Sequence, residues 1–445
     1  MFMKKTISII LGKMAIIAGR ILKRGSSLPG VIALKVDKNI MKKMKLPSIV
    51  IAVTGSSGKG SISSMLAKVC RESNLTVAHN AVGSNLSPGI ATLLLENCTL
   101  TGKIKKDILI YEIDERYTKF VFKDVKPNIV VISNITRDQP PRQGHFDFVF
   151  HEIDQALTDD MHLILNGDDP YTRKFTFHHK CEVTYYGINQ NKYSYQTNKF
   201  QNLNLNYCPK CGNLLLYHYY NFENTGDYYC SKCNFKRPKL KDACTSISYD
   251  RNEITINNEY SLLVPSSILY TIYNSMAVFT TATHIGLDGT KVSHIISTIS
   301  KNKKLLDTFY YQDRNIIVLN NKNENSSTFN QSLLYVTRFK EEKTIIIGWK
   351  EISRRYNFDD LSWLYDIDFE LLKKTKVEKI ICAGIHRYDI AVRLKLAGID
   401  EKKIVIFESL KDATDYIKLK TKTNVYGILN FDYVKPFHEF MQGCD

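Results

Sequence analysis

From residue 49 onward, short apolar runs alternate with stretches whose apolar positions recur at helical spacing. Ile49-Val50-Ile51-Ala52-Val53, Ile108-Leu109-Ile110-Tyr111-Glu112, Ile129-Val130-Val131-Ile132 and Leu163-Ile164-Leu165-Asn166 are runs of strand length. Such runs, apolar at successive positions, belong to strands covered on both faces, so the pattern predicts a mostly parallel sheet between helices. Ligands in that architecture bind beyond the carboxyl ends of the strands. Polar residues follow each run there: Gly55 to Ser61, then Glu112 and Asp114, then Asn134 to Gln139, then Asn166, Asp168 and Asp169. Between roughly 188 and 245 the alternation breaks into a stretch rich in Asn, Tyr and Lys. It resumes from about 308, where Ile316 to Leu319, Thr344 to Ile347, Lys379 to Cys382, Ile404 to Phe407 and Val425 to Leu429 read as strands of a separate, smaller α/β domain.

The run Ile51 to Ser61, IAVTGSSGKGS, carries the sharpest chemistry. A strand, a glycine loop with lysine and a helix N-terminus make a phosphate cradle, because orphan N–H groups and the helix dipole both favour an anion. Gly55 and Gly58 permit the turn, with Ser56, Ser57 and Gly60 beside them. Lys59 supplies the positive charge, and Ser61 or Ser63 can offer a hydroxyl to magnesium. The loop is shorter than GxxxxGK[ST]. A plain surface loop with a solvated lysine is the alternative, against which stand the preceding strand and the helix-like Ile62 to Cys70.

Of ten cysteines, Cys208, Cys211, Cys230 and Cys233 form C-x2-C-x18-C-x2-C. Two such knuckles can meet at one tetrahedral zinc, and four thiolates leave no open position, so the metal is expected to be structural. The surrounding insertion is poor in aliphatic residues, so the metal is expected to fold it. Cys70, Cys98, Cys181, Cys244, Cys382 and Cys444 show no pairing pattern, which suits a reduced cytoplasm. The net charge of +16 favours anionic partners, though much of it is scattered lysine. Ribbons do bind nucleic acid, and Tyr217, Tyr219, Tyr220, Phe222, Tyr228 and Tyr229 could stack on bases. A small ribbon needs those aromatics for its own core, however, and no nucleic-acid partner is expected. No segment is long and apolar enough to span a bilayer. Ile9 to Leu22, broken by Lys13 and Arg20, predicts an amphipathic helix that packs on the body or touches an anionic membrane surface.

With these pieces in order, the chain resembles the MurT-type branch of the Mur ligase superfamily. SSLPGVIAL (Ser26 to Leu34), GSNLSPGIATLLL (Gly83 to Leu95), YEIDE (Tyr111 to Glu115), SNITRDQ (Ser133 to Gln139) and LNGDDP (Leu165 to Pro170) carry the resemblance. So do the cysteine ribbon, DDLSWLYDIDFE (Asp359 to Glu370) and HRYDIAVRLKLAG (His386 to Gly398). The implied architecture is α/β. Residues 1–47 form a helical, substrate-side segment, and 48–305 a central ATPase domain with the ribbon inserted at about 200–240; a Rossmann-like C-terminal domain occupies 306–445.

The resemblance implies an ATP-dependent ligase subunit of lipid II isoglutaminyl synthase, working at the inner membrane face with a GatD-like class I glutaminase. Such ligases phosphorylate a carboxylate, here the D-glutamate α-carboxyl of the stem peptide, and ammonia displaces the phosphate. Lys59 would sit on the ATP phosphates, Ser61 and Glu112 on Mg²⁺, and Asn166, Asp168 and Asp169 at the nucleotide. Asn274 would face adenine. Asp360 would orient a histidine on the glutaminase, with Asp359 the next choice and Asp366 and Asp368 close by. Plainer readings stand beside these: a solvated carboxylate for Glu112, a cap and turn for Asp168-Asp169-Pro170, a helix-surface residue for Asn274 and an N-cap for Asp360.

Several positions depart from the family pattern. The branch usually reads TGTNGKTT where this chain has TGSSGKGS, an ending similar to folylpolyglutamate synthases. Leu-Asp-Arg-Tyr-Gly-Glu is replaced by Pro140 to His145, a usual Asn by Thr271, and Asn-Asp-Asn by Gly348-Trp349-Lys350. A Phe-Gly-Arg triplet is not visible around Thr308 to Arg314. These departures leave open a ligase that adds an amino acid, and a weakly active scaffold.

Overall fold

The structure, a computed structural model, describes residues 2–21, 27–80, 83–137, 145–201, 206–301, 306–319, 325–349 and 361–443. The apolar runs form strands in chain order: β1 (Ile49–Thr54), β2 (Val77–His79), β3 (Ile108–Glu112), β4 (Ile129–Ile132), β5 (His162–Asn166) and β6 (Glu182–Ile188). β7 (Leu215–Phe222) and β8 (Thr225–Cys230) follow, then β9 (Asp242–Ser248), β10 (Glu253–Ile256) and β11 (Tyr260–Leu263). β7 and β8 form a separate antiparallel hairpin. The other nine make one sheet in the order β11-β10-β9-β6-β5-β4-β1-β3-β2. β2 through β9 along that order pair in parallel, and β10 and β11 close the far edge antiparallel.

Helices cover both faces. α1 (Phe2–Ile21), α2 (Leu28–Val36), α3 (Lys59–Glu72), α4 (Ser87–Asn97), α5 (Thr118–Val121), α6 (Phe146–Asp154), α7 (Leu269–His284) and α8 (Gly289–Lys301) belong to this half. Side chains alternate across a strand, so each buried strand feeds two cores. Ile51 and Val53 pack with Leu66, Met276 and Phe279 on one face. Val50 and Ala52 pack with Leu94, Phe150 and Phe175 on the other. α1 buries Ile9 and Ile16, yet Met3, Ile7, Ile10, Met14, Ile17 and Ile21 line its outer side at 41–77 % exposure.

The second sheet runs β12 (Leu306–Tyr311), β13 (Arg314–Leu319), β14 (Lys343–Trp349), β15 (Val377–Gly384), β16 (Ile404–Phe407) and β17 (Asn424–Leu429). Its order is β12-β13-β17-β14-β15-β16, parallel except for the β12–β13 pair. α9 (Ser326–Thr337), α10 (Arg387–Leu396), α11 (Leu410–Lys420) and α12 (Phe431–Gln442) pack on it. Trp349 stacks near Trp363 with ring centroids 5.5 Å apart, both in the core beside Phe329. The departure at Gly348-Trp349 is therefore filled by packing.

The ribbon insertion holds more than its cysteines. Leu215, Tyr228 and Phe235 form a small core with Cys208 and Cys230. Two of these five residues are themselves metal-ligand candidates, so the small core is built around the cysteine cluster. The hairpin tip is clamped between the two halves. Glu223, with a left-handed φ of 44°, is enclosed there. Asn330 Nδ2 donates to its Oε1 at 3.0 Å. The Asp368 amide in turn donates to Asn330 Oδ1, and the Gln201 amide donates to Asp368 Oδ1.

Burial, opposed by Asn330 and reinforced by Asp368, pushes the Glu223 carboxyl up to about 7. A carboxyl that titrates near 4.5 when unfolded and about 7 when folded stabilises the native state fully below 4.5. That contribution, about 3 kcal/mol, is lost as pH rises through the folded value. Glu223→Gln is expected to flatten the fall in unfolding free energy between pH 4.5 and 7 in denaturant titrations. An unchanged slope would assign the proton to Asp169, which burial also pushes up to about 7.

Candidate active site

The cradle forms where β1 ends. Gly58 takes a φ of +84° as N-cap of α3, which few side chains tolerate. A Cβ there would also lie 2.5 Å from Asn274 Oδ1, so Asn274 packs directly on the loop. The segment after β4 pins the loop from the other side. The Ser56 amide donates to the Asn134 carbonyl at 2.9 Å, and the Ser57 amide to Asn134 Oδ1 at 3.1 Å. Ser133 Oγ donates to the Ser57 carbonyl at 2.6 Å, and the Thr136 amide to Ser56 Oγ at 2.8 Å. These four bonds fix the course of the loop.

Lys59 opens α3 and reaches back across the cradle. Its Nζ donates to the Gly55 carbonyl and pairs with Glu115 Oε2 at 2.9 Å. Burial pulls the Lys59 ammonium down. Glu115, then Asp114 and Glu112, outweigh it, so Lys59 is held above the usual lysine range and stays charged. Sequence reasoning missed Glu115 as this partner. Its signal was position alone, just past β3, the strand adjacent to β1.

Glu112 stands at the end of β3 with its backbone amide donating to Asn80 Oδ1. Asn85 Nδ2 donates to Glu112 Oε1 at 3.0 Å and aims the carboxylate. A Cβ on Gly60 would lie 3.1 Å from Glu112 Oε2, so a glycine in the GKGS ending lets this carboxylate approach the first turn of α3. Ser61 is half-buried on that turn, whereas Ser63 is buried and its Oγ donates to the Gly60 carbonyl at 3.3 Å. Carboxylate and hydroxyl oxygens of this kind suit magnesium.

The β5 end is built differently. Asn166 Oδ1 accepts from the Asp168 amide, and Asp169 Oδ1 from the Tyr171 amide, so both side chains close their own turn. Asp168 is wholly buried and its carboxylate is fully engaged. Arg237 pairs with Oδ1 at 2.6 Å, while the Ile188 amide and Tyr273 hydroxyl donate to Oδ2 at 2.7 and 2.8 Å. Asp168 thus ties the ribbon stem and α7 to the sheet, two connections invisible in the sequence.

Cys208, Cys211, Cys230 and Cys233 bring their sulfurs within 4.8 Å of one another. Zinc–sulfur bonds of about 2.3 Å give a tetrahedron with edges of about 3.8 Å. Cys208 and Cys233 are 3.7 Å apart, and Cys211 and Cys230 3.5 Å, so the donor set fits zinc. The expected glutaminase-facing Asp360, and Asp359, lie outside the described residues. The two neighbouring acids that are described face the central domain instead. Asp366 pairs with Arg137 Nε at 3.3 Å, and Asp368 accepts from Gln201.

The Mur ligase middle domain family matches residues 53–224, and the MurT ligase C-terminal family matches 323–433. The chain is 29% identical over 422 residues to the lipid II isoglutaminyl synthase (glutamine-hydrolyzing) subunit MurT of Staphylococcus aureus (strain COL), covering 93% of each chain. It is 26% identical over 447 residues to the corresponding subunit of Streptococcus pneumoniae, covering 99% of this chain and 98% of that one. Among solved structures it is similar to a pseudomurein peptide ligase type C from Methanothermus fervidus, with TM-score 0.68 and 19% identity over 92% of this chain and 81% of the other. MurF from Acinetobacter baumannii gives 0.61 and 14% identity, over 93% and 80%. At these identities the structures attest the shared fold.

Replacing Glu115 by Gln is expected to lower unfolding stability by about 3 kcal/mol, the low end for a broken buried pair, since Asp114 and Glu112 also face Lys59. ATP, by supplying the missing negative charge, should raise the melting temperature of Glu115→Gln more than that of the parent protein. Equal ligand-induced shifts in thermal melts would mean that Lys59 does not exchange Glu115 for phosphate.

Proposed function

Because the chain belongs to the Mur ligase superfamily, in its MurT-type branch, and is an ATP-dependent ligase, we propose that it amidates the D-glutamate α-carboxylate of lipid II with ammonia from a class I glutaminase partner. The observation that supports this most is the meeting of Lys59, Glu112 and the α3 N-terminus at the ends of adjacent parallel strands.

In this reading Lys59 exchanges Glu115 for the phosphates of ATP. The substrate carboxylate attacks the γ-phosphorus, the bond to the bridging oxygen breaks, and ADP leaves. Ammonia then adds to the carbonyl carbon of the acyl phosphate, inorganic phosphate departs, and the nitrogen loses a proton. Glu112 and Ser61 would offer the protein oxygens for a magnesium ion, which would supply charge neutralisation at the phosphates. Asn274 closes over Gly58, and Asn166 and Asp169 shape the turn on the nucleotide side. Zinc on the four cysteines is structural. Asp360 orients the glutaminase histidine across the subunit interface, as a triad carboxylate does.

A lipid-linked substrate places the reaction at a bilayer, on the inner face. No helix among the described residues is long and apolar enough to cross a membrane. α1 instead offers an exposed apolar stripe with Lys4 beside it and no acidic residue of its own, while Lys5 and Lys13 donate to the Thr101 and Leu95 carbonyls and Arg20 lies 3.9 Å from Glu96, so the apolar stripe is what suits a membrane surface. Binding to phosphatidylglycerol vesicles is expected. Ile10→Asp with Ile17→Asp should weaken it at least tenfold in co-sedimentation, each loss removing a buried apolar chain. Unaltered sedimentation would remove α1 from the membrane face.

Reconstitution with the partner glutaminase tests the chemistry. Lys59→Ala should cut amidation of lipid II roughly a hundredfold or more with glutamine or with free ammonia. Asp360→Asn should depress glutamine-dependent amidation, with free ammonia restoring it. Full activity of Lys59→Ala would reject the cradle assignment, and full glutamine use by Asp360→Asn would return that segment to a capping role.

A further inference from the structure

Just past the last residue of α9, Arg338 turns into a cavity between the two halves of the chain. Its guanidinium lies 4.2 Å from the ring centre of Tyr249 and 5.6 Å from that of Tyr193. Its Nη1 donates to the Ser267 carbonyl at 3.1 Å, the Tyr249 hydroxyl also meets the guanidinium, and among the described residues no carboxylate pairs with it. A guanidinium has five N–H donors, so some remain for a ligand.

A second cation converges on the same space. Lys199 lines the cavity with its Nζ 4.5 Å from the Tyr195 ring centre, and it too has no carboxylate partner among the described residues. Burial and the charge of Arg338 together hold the Lys199 ammonium below the usual lysine range. Lys192, 4.9 Å from the Tyr193 ring, adds a third positive group at the rim. These side chains come from a loop after β6 and from α9, elements fixed by different parts of the fold. Bringing like charges together without a counter-ion raises the free energy of the protein, and an anion that enters reverses this.

The cavity measures about 260 Å³ and Ser194 and Asn221 complete its polar wall. Ser194 Oγ donates to Asn221 Oδ1 at 2.7 Å and Asn221 Nδ2 to the Ile188 carbonyl at 2.8 Å, so that wall is already braced. No lining residue belongs to the phosphate loop, to α3 or to the carboxylates facing them. We propose that this cavity is a second anion site, which binds a small phosphate compound, an organophosphate or short polyphosphate, against Arg338 and Lys199. Cations on aromatic faces beside a space of this size suit a multiply charged oxyanion better than a single carboxylate.

Pyrophosphate in magnesium-free buffer is the probe, followed by equilibrium dialysis on the full chain. The parent protein should bind two equivalents and Lys59→Ala one, since only the cradle is lost. In the Lys59→Ala background, Lys199→Gln and Arg338→Gln should each weaken the remaining site tenfold or more, the loss of a charged hydrogen-bonding partner. Lys199 is exposed, so Lys199→Gln decides the matter if Arg338→Gln does not fold. Absence of binding to Lys59→Ala, or binding that neither substitution alters, would overturn the proposal. Citrate competing as strongly as pyrophosphate would overturn the assignment to phosphates.

Discussion

A single buried carboxylate, Asp168, holds together parts of the chain that would otherwise only touch. Its two oxygens bind Arg237 from the ribbon stem, the amide of Ile188 at the end of β6 and the hydroxyl of Tyr273 on α7. Removing one partner from such a buried pair costs roughly 3–5 kcal/mol, because the other charge is left without compensation. The consequence here is positional. α7 carries Asn274 onto the phosphate loop, and β6 leads into the loop that supplies Lys199, so both anion-facing regions are anchored through this residue.

The cradle itself depends on strand adjacency. β3 lies beside β1 in parallel register, with Val53 opposite Glu112. That register delivers Glu112 and Glu115 to the mouth of the loop that Lys59 opens. The lysine is neutralised by Glu115 at 2.9 Å instead of being left unpaired in a buried site. A cationic site that carries its own anion keeps its shape, which is why the proposed phosphate site needs an exchange of charge partners.

The join between the halves carries polar pairs beside apolar contacts, with Leu334 packed into the central core and Ile268 into the C-terminal one. Arg137 meets Asp366, Gln201 meets Asp368, Asn330 meets Glu223, and the Tyr270 amide donates to Gln331 Oε1 at 2.7 Å. The ribbon hairpin contributes its tip to that join, which links the four-cysteine cluster, whose donor set fits zinc, to the meeting of the two halves.

Much of the fold was legible in the chain because its signals are local. Uninterrupted apolar runs marked β1, β3, β4, β5 and β13 to β17, though not the short β2 or the polar-interrupted β6 and β9; the glycines and Lys59 marked the loop at the end of β1, and the cysteine spacing marked the ribbon, and in each of these the determining residues are near neighbours. The periodic apolar residues of α1 also showed its amphipathic form, though only packing revealed that one stripe stays uncovered. What remained hidden was which charge meets which. Glu115 reads as an ordinary strand-end acid until the sheet sets it beside Lys59, 56 positions away. Nothing in the sequence signals that Asp168 meets Arg237 and Tyr273, or that the fold encloses Arg338 without a carboxylate. Pairing across such separations is decided by the packing of whole elements, because the free energy of a charge depends on what surrounds it in space and not on its neighbours along the chain.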